Sequence, residues 1–459
     1  MQSDMTRGNP LSIIIRFTIP LFIGNVFQQP QSVTRAQAIN LTRGLTGVGQ
    51  NALAAVGSTG TIMFLILGFC SGLTSGFTVL TSQRFGAKDV RGVRMSVVNS
   101  LILSAVLVVV MTVGSLLCMR PLLRMMNTPE EIFEDAYAYI SVICMGILAS
   151  VAYNLFSALL RAVGNSRMPL IVLVFSAVLN VILDLVLIVV FRMGTMGAAL
   201  ATDLAQGISS ILCLIYIVKK VPELTPDKDQ WKFYPDATGK QLRVGIPMAL
   251  QFGITASGTM IMQAAINLYG ATAVAAFTAA SKVQGLITQG NFSIGQTMAT
   301  YVGQNCGAGE YQRIRKGVRC AVASISIYGI ICGVLVVVAL RPLLALFFAG
   351  GTDLDAMMPY AQTYITCCAL FYIPLGNIFV FRNAMQGCGF GLLPMLGGAV
   401  ELFCRLALAV ASMVSMNFLL ASLCDPIAWL GACIFTGLSY RYVIRKVGEV
   451  LQPGKAETA

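Results

Sequence analysis

SQRFGAKDVRGVR, residues 82–94, returns as GQNCGAGEYQRIRKGVR, residues 303–319, with Gln83 falling on Gln304, Gly86 on Gly307 and Arg94 on Arg315 at an offset of 221. The same offset carries RPLL at 120–123 onto RPLL at 341–344 and Ala54-Ala55 onto Ala275-Ala276. An offset of 225 carries Gly164 and Pro169 onto Gly389 and Pro394. Self-similarity at a fixed separation, with its anchors in one order, marks a duplicated chain. The sequence therefore divides into two homologous halves.

What each half contains follows from composition. Of 459 residues 56% are hydrophobic and only 11% charged, with a mean hydropathy of +0.78, whereas soluble domains are about a quarter charged. Crossing the hydrocarbon core takes about 20 mostly apolar residues in a helix. Barrel strands would alternate apolar and polar instead. Apolar runs predict spans at 11–29, 52–82, 96–118, 132–160, 168–191 and 194–218, then at 242–268, 271–300, 318–340, 357–381, 392–413 and 417–440. Six spans per half is an even number, so both halves enter from the same side and are related by an axis along the membrane normal. The expected fold is an all-α integral membrane protein: twelve transmembrane helices in two homologous six-helix lobes related by a pseudo-two-fold along that normal. The expected divisions are an N-lobe at 1–218, an inter-lobe loop at 219–240, a C-lobe at 241–445 and a tail at 446–459.

Short loops rich in Lys and Arg stay in the cytoplasm. With the N-terminus inside, the inner side holds 22 basic residues, Arg382 counted among them, and the outer side six. Both termini, the loop and the tail are thus expected in the cytoplasm, in a cell (inner) membrane. The net charge of +12 fits this bias and anionic lipid, and calls for no nucleic acid. The start of the chain carries Arg7 and an apolar run without an A-x-A site, which reads as a retained span rather than a cleaved leader.

Composition also excludes chemistry. With no His, His-dependent triads and His metal sites are ruled out, and the thirteen Cys form no CxxC pair. No GxSxG, Walker or GxGxxG element stands in a suitable context. No catalytic residue, metal or cofactor is expected, and ATP-driven transport by this chain alone is disfavoured.

One stretch interrupts the pattern. QQPQSVTRAQAINLTRGLTGVGQ, residues 28–50, carries Arg35 and Arg43, and only seven of the 21 residues from Pro30 to Gln50 are apolar. Each Arg at mid-bilayer costs about 2.5 to 3.5 kcal/mol on insertion scales. From Pro20 to Ala54 is 34 residues, but between their repeat partners Pro247 and Ala275 it is 28, so the extra residues fall in or near this stretch. The stretch is expected to stay out of the bilayer, leaving Leu11–Gln29 as the span with Arg16 snorkelling.

ALAAVGSTG, SQRFGAKD, YNLFSALLRAVGNSRMPL, GAALATD and VGQNCGAGEYQRIRKGV together resemble the multidrug and toxic compound extrusion (MATE) family, over nearly the whole chain. The resemblance implies two six-helix lobes and a secondary-active multidrug antiporter, not an enzyme, that exports organic cations in exchange for H+ or Na+. It breaks down from Pro30 to about Gly47: family members continue helix 1 as an apolar segment bearing an Asp, and here Arg35 falls near that place. A sequence-level artefact or alteration, an unwound connector and a new functional element are the competing readings.

Asp184 is the only ionisable residue in PLIVLVFSAVLNVILDLVLIVVF. A carboxylate at membrane depth is costly as an anion and is by default a functional-site candidate, able to load a proton or cation. Asn180 lies four residues earlier on the same helical face. The family's N-lobe cation site matches these positions, which implies Tyr139, Asn154 and Thr202 as lining groups; Asp203 follows Thr202 and could share a proton with Asp184 if close. The bland alternative is a carboxyl hydrogen-bonded between helices. In the C-lobe Glu401 and Arg405 are spaced i,i+4 and read first as an internal ion pair, with a polar coupling site as the alternative. Lys282 reads as a partner for a carboxylate or helix-end carbonyls, and Gln284 as polar glue or a C-lobe lining group. Gly68, Gly72 and Gly76 form overlapping GxxxG patterns that predict close helix packing.

The expected partners are small organic cations and membrane lipid, and the expected state is a monomer. The rival reading is a lipid-linked precursor flippase of similar architecture, which would line its cavity with several basic residues where the spans offer only Lys282 and Arg405.

Overall fold

The computed structural model describes residues 4–28, 49–125, 128–345 and 354–451, and within them all regular structure is helical. The stretch 30–47, whose exclusion from the bilayer was expected, and the tail beyond 451 lie outside the described residues. The first half supplies α1 (Pro10–Gln28), α2 (Gly49–Gly86), α3 (Val90–Met125), α4 (Glu130–Met145), α5 (Ile147–Ala162), α6 (Arg167–Asp184) and α7 (Gly194–Lys220). The second supplies α8 (Pro235–Asn267), α9 (Ala271–Gly307), α10 (Tyr311–Val338), α11 (Leu340–Ala345), α12 (Leu354–Leu370), α13 (Tyr372–Gly387), α14 (Leu392–Ser415), α15 (Phe418–Ser422) and α16 (Cys424–Leu451).

Among the described residues nine helices are long and apolar enough to cross a membrane, and the bent pairs α4/α5 and α12/α13 raise the number to eleven. The 37-residue α9 is the twelfth long segment. Its Thr, Gln, Ser and Asn side chains keep it below the hydropathy that the others reach.

The repeat read from sequence reappears in the backbone. Lys88 (φ +58°) and Gly309 (φ +74°), 221 positions apart, are both left-handed, as are Gly164 (φ +82°) and Gly389 (φ +88°), 225 apart. Residues in this conformation close helices by turning the chain away from the axis. The fourth span of each half is broken, by 46° between α4 and α5 and by 50° between α12 and α13. In the second half Pro374 explains the break at Phe371: it has no N–H for the carbonyl of Leu370, and its ring crowds that carbonyl. In the first half the break falls on Gly146.

Contacts divide the chain into a unit of Met1–Asp4 with Ile23–Ala249 and a unit of Met5–Phe22 with Leu250–Ala459. In the first unit the expected close packing is found. A Cβ built on Gly76 would come within 2.3 Å of Gly245 Cα, and one on Gly72 within 2.8 Å of Ala249 Cα, so α2 and α8 touch backbone to backbone. Without a hydrophobic drive between helices in lipid, such dispersion contact and buried hydrogen bonds do the joining. Gln241 adds those bonds, its Nε2 donating to Ser96 O at 3.0 Å and Ser100 Oγ at 2.9 Å while Oε1 accepts from Asn99 Nδ2 at 2.8 Å. The hydrophilic connection between α7 and α8 forms two 3-10 turns, Pro222–Leu224 and Lys228–Gln230, tied to α3 where Arg94 pairs with Asp227 and donates to Pro222 O.

In the second unit the repeat motif anchors the start of the chain. Gln304 Oε1 accepts from Met5 N–H at 3.1 Å, Asn305 Nδ2 donates to Met5 O at 3.2 Å, and Arg313 Nη1 donates to Gly8 O at 2.9 Å. Thr18 and Thr297 hydroxyls meet at 2.8 Å farther along α1.

Candidate functional site

The residues expected in the N-lobe site come from α7, which carries Thr202 and Asp203, and from three helices of the first unit that each pack on it: α4 with Tyr139, α5 with Asn154, and α6 with Asn180 and Asp184. Asp184 is 1% exposed and Asn180 3%. Neither amide atom of Asn180 has a hydrogen-bond partner among the described residues, a condition that costs about 1 to 3 kcal/mol for a buried polar group. Asp184 is the last α-helical residue of α6, and a π turn over Leu185–Val190 follows it directly. Such turns admit one extra residue and recur at functional sites. The apolar letters LVLIVV gave no sign of it.

The remaining members hold their places by local bonds. Thr202 Oγ1 donates to Ala198 O at 3.0 Å and Asn154 Nδ2 to Ser150 O at 2.9 Å, each within its own helix, while Tyr139 reaches Met63 Sδ at 3.7 Å. Asp203 is half-buried and lies on the break of the fourth span: a Cβ on Gly146 would stand 2.0 Å from its Cγ. The φ of Gly146 is −81°. Glycine is therefore required there for room, not for conformation.

The second unit contains a larger polar assembly than its sequence suggested. Glu401 and Arg405 do form the expected i,i+4 pair, at 3.5 Å, but the shorter bond to Glu401 comes from Arg382, at 2.6 Å. Arg405 Nε lies 2.9 Å from Asp425 Oδ1, and the Tyr364 hydroxyl stands 3.1 Å from Asp425 Oδ2 and 2.6 Å from Gln284 Oε1. All six side chains are buried. Two guanidinium groups face two carboxylates, so the chain of contacts is charge-neutral and joins α9, α12, α13, α14 and α16. Breaking one buried partner strands its counter-charge, which is why such networks tie helices together. Arg382, counted at a loop on sequence grounds, is corrected to a buried position inside α13, 5% exposed. Lys282 is exposed and sits two residues before Gln284, on another side of α9.

A family model described as MatE matches the chain in two segments, residues 20–186 and 247–411. The chain belongs to the MATE family. The two matched segments coincide with the repeat, one for each half. Among relatives, the "Probable multidrug resistance protein YpnP" of Bacillus subtilis (strain 168) is 30% identical over 84% of this chain and 84% of its own length. The "Probable multidrug resistance protein NorM" of Thermotoga maritima is 25% identical over 75% of this chain and 74% of its own. A solved MOP superfamily transporter from Pyrococcus furiosus superposes with a TM-score of 0.89 at 22% identity, covering 96% of this chain and 98% of that one, which fixes the fold. This MATE chain is thus a multi-pass membrane transporter and not an enzyme.

The two units of this MATE chain have different polar interiors. The second sets Glu401 and Asp425 against the Arg side chains of Arg382 and Arg405, which tie the helices that carry them. In the first, the paired positions of α6 combine a buried carboxyl with an amide that has no hydrogen-bond partner among the described residues. Sequence reading missed Arg382, Asp425 and Tyr364. Asp425 carried a legible signal, a carboxylate inside the apolar span 417–440, of the same kind as Asp184.

Proposed function

We propose that this chain is a secondary-active multidrug exporter, passing organic cations outward in exchange for H+ or Na+ by alternating access, with Asp184 as the ion-loading carboxyl. The observation that carries the reading is the buried Asn180–Asp184 face at the end of α6, where the amide offers bonding capacity that the described protein leaves unused. The multidrug names of the relatives support the substrate class. The ion is cargo, and the cycle requires no cofactor. The bias of basic loops supports an orientation with both termini in the cytoplasm. The flippase reading loses support because the buried guanidinium groups of Arg382 and Arg405 already face Glu401 and Asp425 and are not available to a polyphosphate.

Arg35 stands near the place of the family's helix-1 Asp, so coupling at Asp184 is expected to be weak in the chain as written. The test is ethidium efflux by three chains: the chain as written, one with residues 30–47 replaced by an apolar, Asp-bearing helix, and the latter with Asp184→Asn. The replaced chain should export while a gradient is present, and the Asp184→Asn chain should not. Export that survives ionophores collapsing both gradients, or that ignores Asp184→Asn, overturns the reading.

A further inference from the structure

A cleft of about 700 Å³ opens on the second unit between α10, α13 and α16. Its charged lining is entirely basic, Arg315 and Arg319 in the first third of α10 and Arg441 in the second half of α16. Arg315 and Arg319 act electrostatically on Tyr440, and Arg441 is the next residue in the chain, so the three guanidinium groups share one end of the cleft. Away from them the wall turns apolar: Ile434 and Leu438 are 56% and 59% exposed, as expected of side chains that meet acyl chains rather than water. Phe381 stacks on Tyr440 at the floor, with ring centroids 5.4 Å apart, and the Tyr440 hydroxyl is buried without a hydrogen-bond partner among the described residues. Gly437 keeps the floor low, for a Cβ there would meet nothing closer than Phe381 at 3.6 Å.

We infer that this cleft binds one anionic phospholipid of the adjoining leaflet, its phosphate held by Arg315, Arg319 and Arg441 and its acyl chain lying along Ile434 and Leu438. Basic recesses between membrane helices select anionic headgroups because each Arg near the surface adds attraction that a zwitterionic headgroup cancels. Guanidinium forks also match phosphate oxygens in pairs. The apolar wall selects a lipid over a free anion. The site is separate from Asp184 and does not rest on the proposed transport cycle.

The experiment is native mass spectrometry of the full chain released from nanodiscs of mixed phosphatidylglycerol and phosphatidylcholine. The unmodified protein should retain one phosphatidylglycerol, and excess inorganic phosphate should not displace it. With Arg315→Gln, Arg319→Gln and Arg441→Gln combined, apparent affinity should fall by roughly a hundredfold. Gly437→Leu should also release the lipid while leaving every charge in place, which separates occupancy of the cleft from general surface attraction. Equal retention of phosphatidylcholine, displacement by phosphate, or retention unchanged in both variants would overturn the assignment.

Discussion

The carboxylate of Asp203 lies on the backbone of Gly146, where a methyl group would come within 2.0 Å of its Cγ. The bend of the fourth span and a membrane carboxylate are therefore parts of one contact. Gly146→Ala must push Asp203 off α4 and α5 or straighten the break. Overpacking of this kind costs about 1 to 3 kcal/mol, so thermal unfolding in detergent should occur at lower temperature, and Asp203→Ala in the same chain should recover most of the loss. A Gly146→Ala protein as stable as the parent would show that the contact is not tight.

The buried network of the second unit should behave as a structural tie. Arg405→Gln strands Asp425 and weakens the hold on Glu401, all with side chains under a tenth exposed, and should destabilise by about 3 to 5 kcal/mol. Removing the pair together, Arg405→Met with Asp425→Leu, should recover much of that, because Glu401 keeps Arg382 and Tyr364 keeps Gln284. Unfolding midpoints of the two variants decide the matter. A double variant less stable than Arg405→Gln would contradict it.

Two glycines of opposite surroundings test the packing of α2 on α8. Gly76→Ala places a methyl 2.3 Å from Gly245 Cα, against backbone that cannot swing aside, and should lower stability and folded yield. Gly239, within α8, has nothing within 4 Å of its missing Cβ. Gly239→Ala should stabilise by about 0.5 to 1 kcal/mol through helix propensity. The same sign for both changes would undo the argument.

The fold was legible because its signals are large: apolar runs that fill a bilayer, and anchors such as Gln83 and Gln304 that repeat in order. The breaks were hidden because half-helices separated by a single residue, Gly146 or Phe371, still read as one apolar run. Pro374 was a visible cue to the second break, and nothing comparable marks the first. Arg382 misled because a charge after an apolar run is usually a solvated end; its neutralising partner Glu401 is 19 residues away and only folding brings them together. Asp184 was found because a lone carboxylate in an apolar span stands out by chemistry alone, whereas the π turn beside it depends on tertiary packing.

Asn180 offers the sharpest separation of stability from function. Its buried amide has no hydrogen-bond partner among the described residues, a condition that penalises a fold by about 1 to 3 kcal/mol. Replacement by Leu, which branches at the same carbon, removes the penalty and adds apolar contact. Asn180→Leu should therefore raise the unfolding midpoint or leave it unchanged. Should the amide serve a mobile ion or water beside Asp184, the same change should cut gradient-driven efflux in the chain carrying the restored helix 1, while expression stays at the parent level. Arg405→Gln provides the opposite pattern, a lower midpoint with loss of activity only in proportion to folded protein. Differential scanning fluorimetry paired with ethidium efflux on both variants reads the two effects apart. A marked fall in the midpoint of Asn180→Leu would mean that its amide is bonded within the fold, and the role given to the Asn180–Asp184 face would fail with it.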